Sequence, residues 1–171
     1  VDYESLLSDV HPGDVLAVGD GSVALLVESI DGDQAKAMVC HGGPVQGRPG
    51  LHIPSDRLSM STPTPEDLRL LDAFVDEGVD MVAISFVRSA NDIRRIGTEP
   101  YPRGPLIVAK IETRAAVENL QGIIEASGAI MIARGDLGTE LGIEELPHLQ
   151  KQITRECISG GKPVITATQM F

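Results

Sequence analysis

From residue 61 onward the chain alternates short apolar strands with helical segments, and this alternation constrains the fold more than any other feature. The predicted strands span residues 81–86, 106–112, 129–133 and 163–167. Strands that recur about every 25–30 residues with helices between them predict βα units and a parallel sheet. Two architectures compete, a doubly wound sheet and a (β/α)8 barrel. Because a full barrel needs about 250 residues, four strands predict either a small open α/β domain or part of a barrel.

The segments between the strands carry local signals. Residues 64–67, Thr-Pro-Glu-Asp, predict a helix start, with a threonine cap and a proline at the first helical position. Residues 114–127 predict a helix that is broken or kinked near Gly122, and residues 134–138 predict a loop after the third strand.

The first 53 residues have a different pattern. Apolar runs at 15–18, 23–30 and 34–40 alternate with Gly-Asp-Gly and Asp-Gly-Asp turns, which predicts antiparallel hairpins. Residues 42–54 are rich in glycine and proline and predict a crossing segment or hinge. We therefore expect two domains, a small β-rich domain over residues 1–53 and an α/β domain over residues 54–171.

Composition excludes some function classes. The 171 residues carry a net charge of −11, which argues against nucleic acid and anionic membranes as partners. No apolar run approaches the roughly 18–20 residues of a membrane span, and no signal peptide is visible. Cys40 and Cys157 lie in unrelated contexts and are interpreted as reduced thiols. These features predict a cytoplasmic protein.

Polar side chains follow each predicted strand of the α/β region. Lys110 and Glu112 end the second strand and, being two residues apart, project to the same side. Asp136 follows the third strand, and two carboxylates at neighbouring strand ends suit Mg²⁺ or Mn²⁺. Lys110 would neutralise charge on a phosphoryl group or an enolate. The backbone amides of residues 134–136 would bind an anionic carboxylate, and Thr168 would orient a water or relay a proton.

Each of these residues has a simpler interpretation. Lys110 and Glu112 alone also fit a salt bridge at the rim of the sheet, and Asp136 alone fits a helix cap. Arg134 also fits a solvated surface position, and Thr168 an ordinary strand residue. The convergence of four strand ends, rather than any single residue, favours an active site.

Four segments together resemble the pyruvate kinase family. They read MVAISFVRSANDI from residue 81, AKIET from residue 109, IMIARGDLG from residue 130 and KPVITATQMF from residue 162. The resemblance implies phosphoryl transfer from phosphoenolpyruvate to ADP, giving pyruvate and ATP in glycolysis, with Mg²⁺ or Mn²⁺ as cofactor and K⁺ as a second cation. It also implies a partial (β/α)8 barrel of about four βα units, the family's strands four to seven, preceded by part of its small β-barrel domain.

The resemblance assigns roles residue by residue. Lys110 matches the lysine that stabilises the transferred phosphoryl group and the enolate, and Thr168 matches the threonine linked to enolate protonation. Glu112 and Asp136 match the two protein ligands of the divalent metal. The remaining matched positions bind the substrate, with its carboxylate against the backbone of residues 133–135, and are Ala133, Arg134, Gly135, Asp136, Thr168, Ser85 and Phe86.

Departures from the family pattern leave alternatives open. The family's first three barrel strands, its K⁺ ligands, its eighth strand and its C-terminal domain have no counterpart in these residues. Pro49 stands where the family has a lysine, so nucleotide contact in that segment falls to Arg48. The chain is therefore expected to be a fragment of the enzyme. The alternatives are a truncated relative with lyase chemistry or another phosphate acceptor, and a non-catalytic domain that assembles with a partner chain or a second copy.

Overall fold

The computed structural model describes residues 1, 3–19 and 21–167. The chain divides into two compact units, one of which spans Val1–Ser59 while the other begins at Met60. The division lies a few residues after the boundary predicted at residue 53. The two units together have an α/β fold with one antiparallel and one parallel sheet. Within the described ranges, no helix combines the length and apolar character that crossing a lipid bilayer requires.

The first unit is built on a four-stranded antiparallel sheet in the order β3-β2-β1-β4. The three hairpin strands predicted from the sequence are confirmed. Its core is small and aliphatic, with Val10, Leu16, Val27 and Ile53 all buried. The elements of this unit are α1 (Leu6–Asp9), β1 (Val15–Val18), β2 (Val23–Asp31), β3 (Gln34–His41) and β4 (Leu51–His52).

A buried carboxylate, Asp9, holds the end of the first unit against α1. Its Oδ2 accepts hydrogen bonds from the Tyr3 hydroxyl, from Ser59 N at 2.9 Å and from the Ser59 hydroxyl at 3.1 Å. These donors favour the ionised form, so the pKa of Asp9 is lowered from its ordinary value of 3.8, the Tyr3 hydroxyl being the largest cause. Because the pKa of Asp9 is lower in the folded than in the unfolded state, its ionised carboxylate stabilises the fold at pH values above the unfolded pKa. This stabilisation is lost progressively as the pH falls from the unfolded pKa through the lower folded pKa.

We expect Asp9→Asn to reduce the dependence of stability on acid pH. At neutral pH the variant should unfold at lower urea concentration than the wild type, and the difference should shrink as the pH falls through 3.8 toward the lowered pKa of Asp9. Urea unfolding curves over a pH series measure this. Asp33→Asn, at an exposed turn position, is the matched control. A wild-type advantage that stays constant down to the lowest pH would contradict the linkage.

The second unit contains a four-stranded sheet, β5-β6-β7-β8, in which all neighbouring strands are parallel. The alternation predicted from the sequence is confirmed, and each strand is connected to the next through helical segments, as parallel pairing requires. The elements are α2 (Pro65–Asp76), β5 (Met81–Ile84), α3 (Ala90–Arg94), β6 (Leu106–Ile111), α4 (Arg114–Glu118), α5 (Leu120–Ala126), β7 (Ala129–Ala133), α6 (Arg134–Leu141), α7 (Leu146–Ser159) and β8 (Val164–Ala167).

The helix start predicted at Thr64 is confirmed. The Thr64 hydroxyl accepts a hydrogen bond from Asp67 N at 3.1 Å, and the Asp67 carboxylate accepts one from Thr64 N at 2.9 Å, which forms a capping box. Pro65 occupies the first helical position, where its missing N–H costs nothing. The local sequence alone therefore determines where α2 begins.

The two faces of the parallel sheet differ in burial. Ala109, Ile111, Ile130 and Ile132 are fully buried on one face, in the core formed with the helices. Side chains alternate between faces along a strand, so Lys110 and its register partner Met131 lie on the opposite face. Near the edge strands this second face is open, with Met81 61% and Ile165 38% exposed. Lys110 of β6, and by the same alternation Glu112 directly after the strand, therefore lie on the face that the helical core does not cover.

Two local predictions were wrong. The break in the helical segment 114–127 was placed near Gly122 but occurs at Asn119, whose amide donates to the carbonyls of Arg88 and Ala115. Residues 134–138 were interpreted as a loop but form the first turns of α6. Leu137 of this segment is fully buried in the core, so tertiary packing outweighs the low helix propensity of its glycines.

Candidate active site

The end of β6 carries the charged pair that the sequence singled out. Lys110 Nζ lies 2.7 Å from Glu112 Oε1, so the prediction that the two side chains share a face is confirmed. The Lys110 side chain is 23% exposed, whereas that of Glu112 is 1% exposed. A carboxylate this deeply buried is costly unless a cation or hydrogen bonds compensate it. The pair is therefore an asymmetric one, with a buried anion and a partly solvated cation.

The buried position of Glu112 affects its proton affinity. Loss of solvation raises the pKa of this carboxyl above its ordinary value. The Lys110 ammonium and a hydrogen bond from Phe86 N oppose the increase, while the negative charge of Asp136 adds to it. Burial therefore outweighs the cationic and hydrogen-bonding partners of this carboxyl.

The turn after β5 supplies partners to both members of the pair. Phe86 N donates to Glu112 Oε2 at 2.6 Å, and Lys110 Nζ donates to the Ser85 hydroxyl at 3.0 Å. Phe86 adopts a positive φ of 53°, the only non-glycine residue in the described ranges to do so. A bulky residue in this region is strained by about 1–3 kcal/mol, and such strain is concentrated at functional sites. Ser85 and Phe86 thus lie where the sequence placed them.

Asp136 is exposed and lies in the first turn of α6, directly after β7. No side chain caps this helix start within the described residues, because the cap position is Ala133. The first-turn N–H groups of a helix have no intrahelical partner, and a helix N-terminus attracts an anion. Arg134 directs its guanidinium to Gln150 Oε1 at 3.2 Å. The residues predicted to hold a substrate carboxylate therefore form a helix start, not the loop expected.

The donor set at this site fits a hard divalent cation. Glu112 Oε1 is buried, and among the described residues the Lys110 ammonium at 2.7 Å is its partner, with no second donor. Mg²⁺ binds through one or two carboxylates and fills its remaining positions with water or substrate oxygens. Within the described ranges no cluster of three or more His, Cys, Asp and Glu side chains converges. Glu112 and Asp136 are the two carboxylates of this site that could hold such an ion.

Thr113 supports the site and was not recognised as a candidate from the sequence. It is 2% exposed, its hydroxyl accepts from Ala116 N at 3.0 Å to cap α4, and it donates to Val87 O at 3.1 Å. These bonds connect the residue after Glu112 to the residue after Phe86. A threonine directly before a helical segment is a capping signal, so the cap on α4 could be predicted from the sequence, whereas the hydrogen bond to Val87 O could not.

We expect Thr113→Val to destabilise the protein by about 2 kcal/mol, because the isosteric change removes both hydrogen bonds and leaves Val87 O buried. Thr113→Ser keeps the hydroxyl and is the matched control, with a smaller loss from the missing methyl group. Chemical denaturation of both variants measures the difference. If Thr113→Val were as stable as Thr113→Ser, the hydroxyl of Thr113 would contribute nothing to the free energy of unfolding.

Four other positions complete the comparison with the sequence. Thr168 lies outside the described residues. Arg48 is exposed and lies in the first unit, between β3 and β4. Of the two cysteines, Cys157 is buried, which raises the pKa of its thiol, and Cys40 is exposed; both are free thiols.

Comparison with known proteins gives a consistent result. The family model described as "Pyruvate kinase, barrel domain" matches residues 1–171. A pyruvate kinase from Mycobacterium intracellulare is 41% identical over 171 residues, which cover 99% of this chain and 36% of that protein. Pyruvate kinases from Clostridium acetobutylicum and Thermococcus litoralis are 39% and 37% identical, with 100% of this chain covered and 37% and 36% of each relative. The chain therefore spans little more than a third of the length of these relatives.

Proposed function

This chain belongs to the pyruvate kinase family of phosphotransferases, and we propose that it forms part of an enzyme that transfers a phosphoryl group from phosphoenolpyruvate to ADP. The products would be pyruvate and ATP. The observation that carries the proposal is the ion pair of Lys110 with the buried Glu112, in which the ammonium lies 2.7 Å from Oε1 and no second donor is present among the described residues. Because the chain covers only 36% of the Mycobacterium intracellulare relative, the activity is assigned to the full-length protein.

The sheet of the second unit would be four consecutive strands of a (β/α)8 barrel, the strands that the family numbers four to seven. Its all-parallel order, its helix-covered face and its more open opposite face support this assignment. Strands β5 and β8 lie at the edges of the sheet, and an unpaired edge favours pairing with further strands. We propose that the remainder of the full-length protein supplies those strands. Residues 1–53 would be part of the small β domain.

Glu112 and Asp136 would hold the divalent metal, Mg²⁺ or Mn²⁺. When bound, such an ion supplies charge neutralisation for substrate oxygens. The ligands of the family's K⁺ would come from other parts of the full-length protein. Phe86 N fixes Glu112 Oε2 at 2.6 Å, so the carboxylate keeps its orientation and presents Oε1. The chain's contribution to cation binding is thus a preoriented carboxylate.

The other polar groups near Lys110 and Glu112 have separate proposed roles. The substrate carboxylate would accept hydrogen bonds from backbone N–H groups at the start of α6, beside Arg134 and Gly135. Lys110 would hold the phosphoryl group while the bond from phosphorus to the enol oxygen breaks and the ADP oxygen forms the new one. It would then stabilise the enolate oxygen. Thr168 would relay a proton to the methylene carbon of the enolate, which completes pyruvate. Arg48 would contact the nucleotide.

The test is an assay of the purified full-length protein with phosphoenolpyruvate, ADP and Mg²⁺, in which pyruvate formation is coupled to NADH oxidation. We expect turnover that requires both ADP and the metal. Exchange of pyruvate methyl protons without ATP formation would instead indicate enolate chemistry of the lyase type. The absence of both reactions in a folded protein would favour a non-catalytic assembly domain.

A further inference from the structure

The ammonium of Lys110 occupies the position where a cation would bind Glu112. Nζ lies 2.7 Å from Oε1, the carboxylate oxygen that has no other donor among the described residues, while Oε2 accepts a hydrogen bond from Phe86 N. A divalent ion bound to Oε1 and an ammonium at the same oxygen would repel each other, because both are positive and only a few ångströms apart. Binding of the ion through Oε1 thus requires Lys110 to leave that oxygen.

A second partner for the displaced ammonium is already in place. Lys110 Nζ donates to the Ser85 hydroxyl at 3.0 Å, and Ser85 directly precedes Phe86. A serine hydroxyl carries two lone pairs and accepts a hydrogen bond from an ammonium without adding charge. The same short turn therefore holds Glu112 through the amide of Phe86 and holds Lys110 through the hydroxyl of Ser85.

We propose that Ser85 is a positioning residue that retains the Lys110 ammonium when a divalent cation takes Glu112 Oε1. Lys110 and the cation exchange at one oxygen: the ammonium compensates the buried carboxylate while the cation is away and remains beside it, on Ser85, once the cation has bound. This inference rests on the proposed metal site and adds an energetic coupling between the lysine, the serine and the cation. Ser85 would act through Lys110 and not as a ligand.

The coupling makes a prediction about cation affinity that requires no catalytic turnover. The Ser85 hydroxyl accepts from Lys110 in the cation-free structure as well, so its loss affects cation affinity only because the bond matters more once the ammonium has left Glu112. Ser85→Ala should therefore weaken Mn²⁺ binding about 2- to 5-fold, a part of one charge-assisted bond at a partly exposed site. Without the ammonium there is nothing to displace, so Lys110→Met should bind Mn²⁺ at least as tightly as the wild type. In the double variant, removal of the Ser85 hydroxyl should have no further effect.

The experiment is a double-mutant cycle of Ser85→Ala and Lys110→Met in the full-length protein. Free Mn²⁺ is quantified by electron paramagnetic resonance at about pH 8, where carboxyl groups are ionised. Ser159→Ala, at an exposed serine of α7, is the control for the loss of a hydroxyl. Equal weakening by Ser85→Ala in both backgrounds would make Ser85 a direct ligand or a purely structural residue, and would overturn the exchange. Weaker binding by Lys110→Met would overturn it as well.

These outcomes separate the inference from the proposed function. If the wild type binds no Mn²⁺ and Glu112→Gln changes nothing, the metal site itself is refuted, together with the exchange built on it. If the wild type binds Mn²⁺ through Glu112 but the cycle shows no coupling, the metal site stands and only the role of Ser85 is refuted.

Discussion

Lys110→Met is expected to lower the turnover of phosphoenolpyruvate and ADP by the full-length protein by about 10²–10³-fold or more. The substitution keeps the length and apolar stem of the side chain but removes the positive charge that lies 2.7 Å from Glu112 Oε1. Removal of one preorganised group that stabilises developing charge costs a factor of this size in other enzymes. The coupled assay for pyruvate formation measures the loss as a change in kcat.

Lys151→Met is the matched control, because Lys151 is exposed on α7 and distant in sequence from the charged pair. Its turnover should equal that of the wild type. Mn²⁺ binding by the Lys110 variant should persist, which separates a catalytic defect from a collapsed site. Normal turnover of Lys110→Met would refute the role assigned to this lysine.

Glu112→Gln is expected to weaken Mn²⁺ binding by about 10²-fold or more and to reduce turnover in parallel. The amide has the shape of the carboxylate, and its oxygen still accepts the hydrogen bond from Phe86 N. It lacks the negative charge that makes a carboxylate a good ligand for a hard cation. Stability should change by no more than about 1 kcal/mol, because loss of the ion pair is offset by removal of a buried charge.

Electron paramagnetic resonance of Mn²⁺, the coupled assay and thermal unfolding together test this variant. Glu118→Gln, at an exposed position of α4 in the same βα unit, is the control and should leave all three measurements unchanged. A variant that binds Mn²⁺ as tightly as the wild type would exclude Glu112 as a ligand. A variant that fails to fold would show that the carboxylate is needed for structure.

The sequence was most informative where local chemistry determines the result. The start of α2 was readable because Thr64, Pro65 and Asp67 satisfy the free N–H groups of a helix on their own. The shared face of Lys110 and Glu112 was readable because strand geometry alone separates alternate side chains. The family resemblance added roles for these residues that no periodicity contains.

Prediction from the sequence was wrong where contacts with residues far away in the chain determine the local structure. Residues 134–138 contain two glycines and were interpreted as a loop, yet they are helical because Leu137 packs into a core assembled from other elements. The helical break lies at Asn119 and not at Gly122, because the Asn119 amide bonds to the carbonyl of Arg88, far away in the chain. No window of local sequence contains these partners.

The sequence by itself determined the alternation of strands and helices, the acidic β-rich start and the two charges at the end of β6. Only the tertiary structure decided how those charges are held. Lys110 and Glu112 are adjacent through strand geometry, but the turn at Ser85 and Phe86 reaches them because β5 pairs in parallel with β6. The positive φ of Phe86 and the burial of Glu112 belong to the assembled sheet, and the sequence neighbours of these residues predict neither feature.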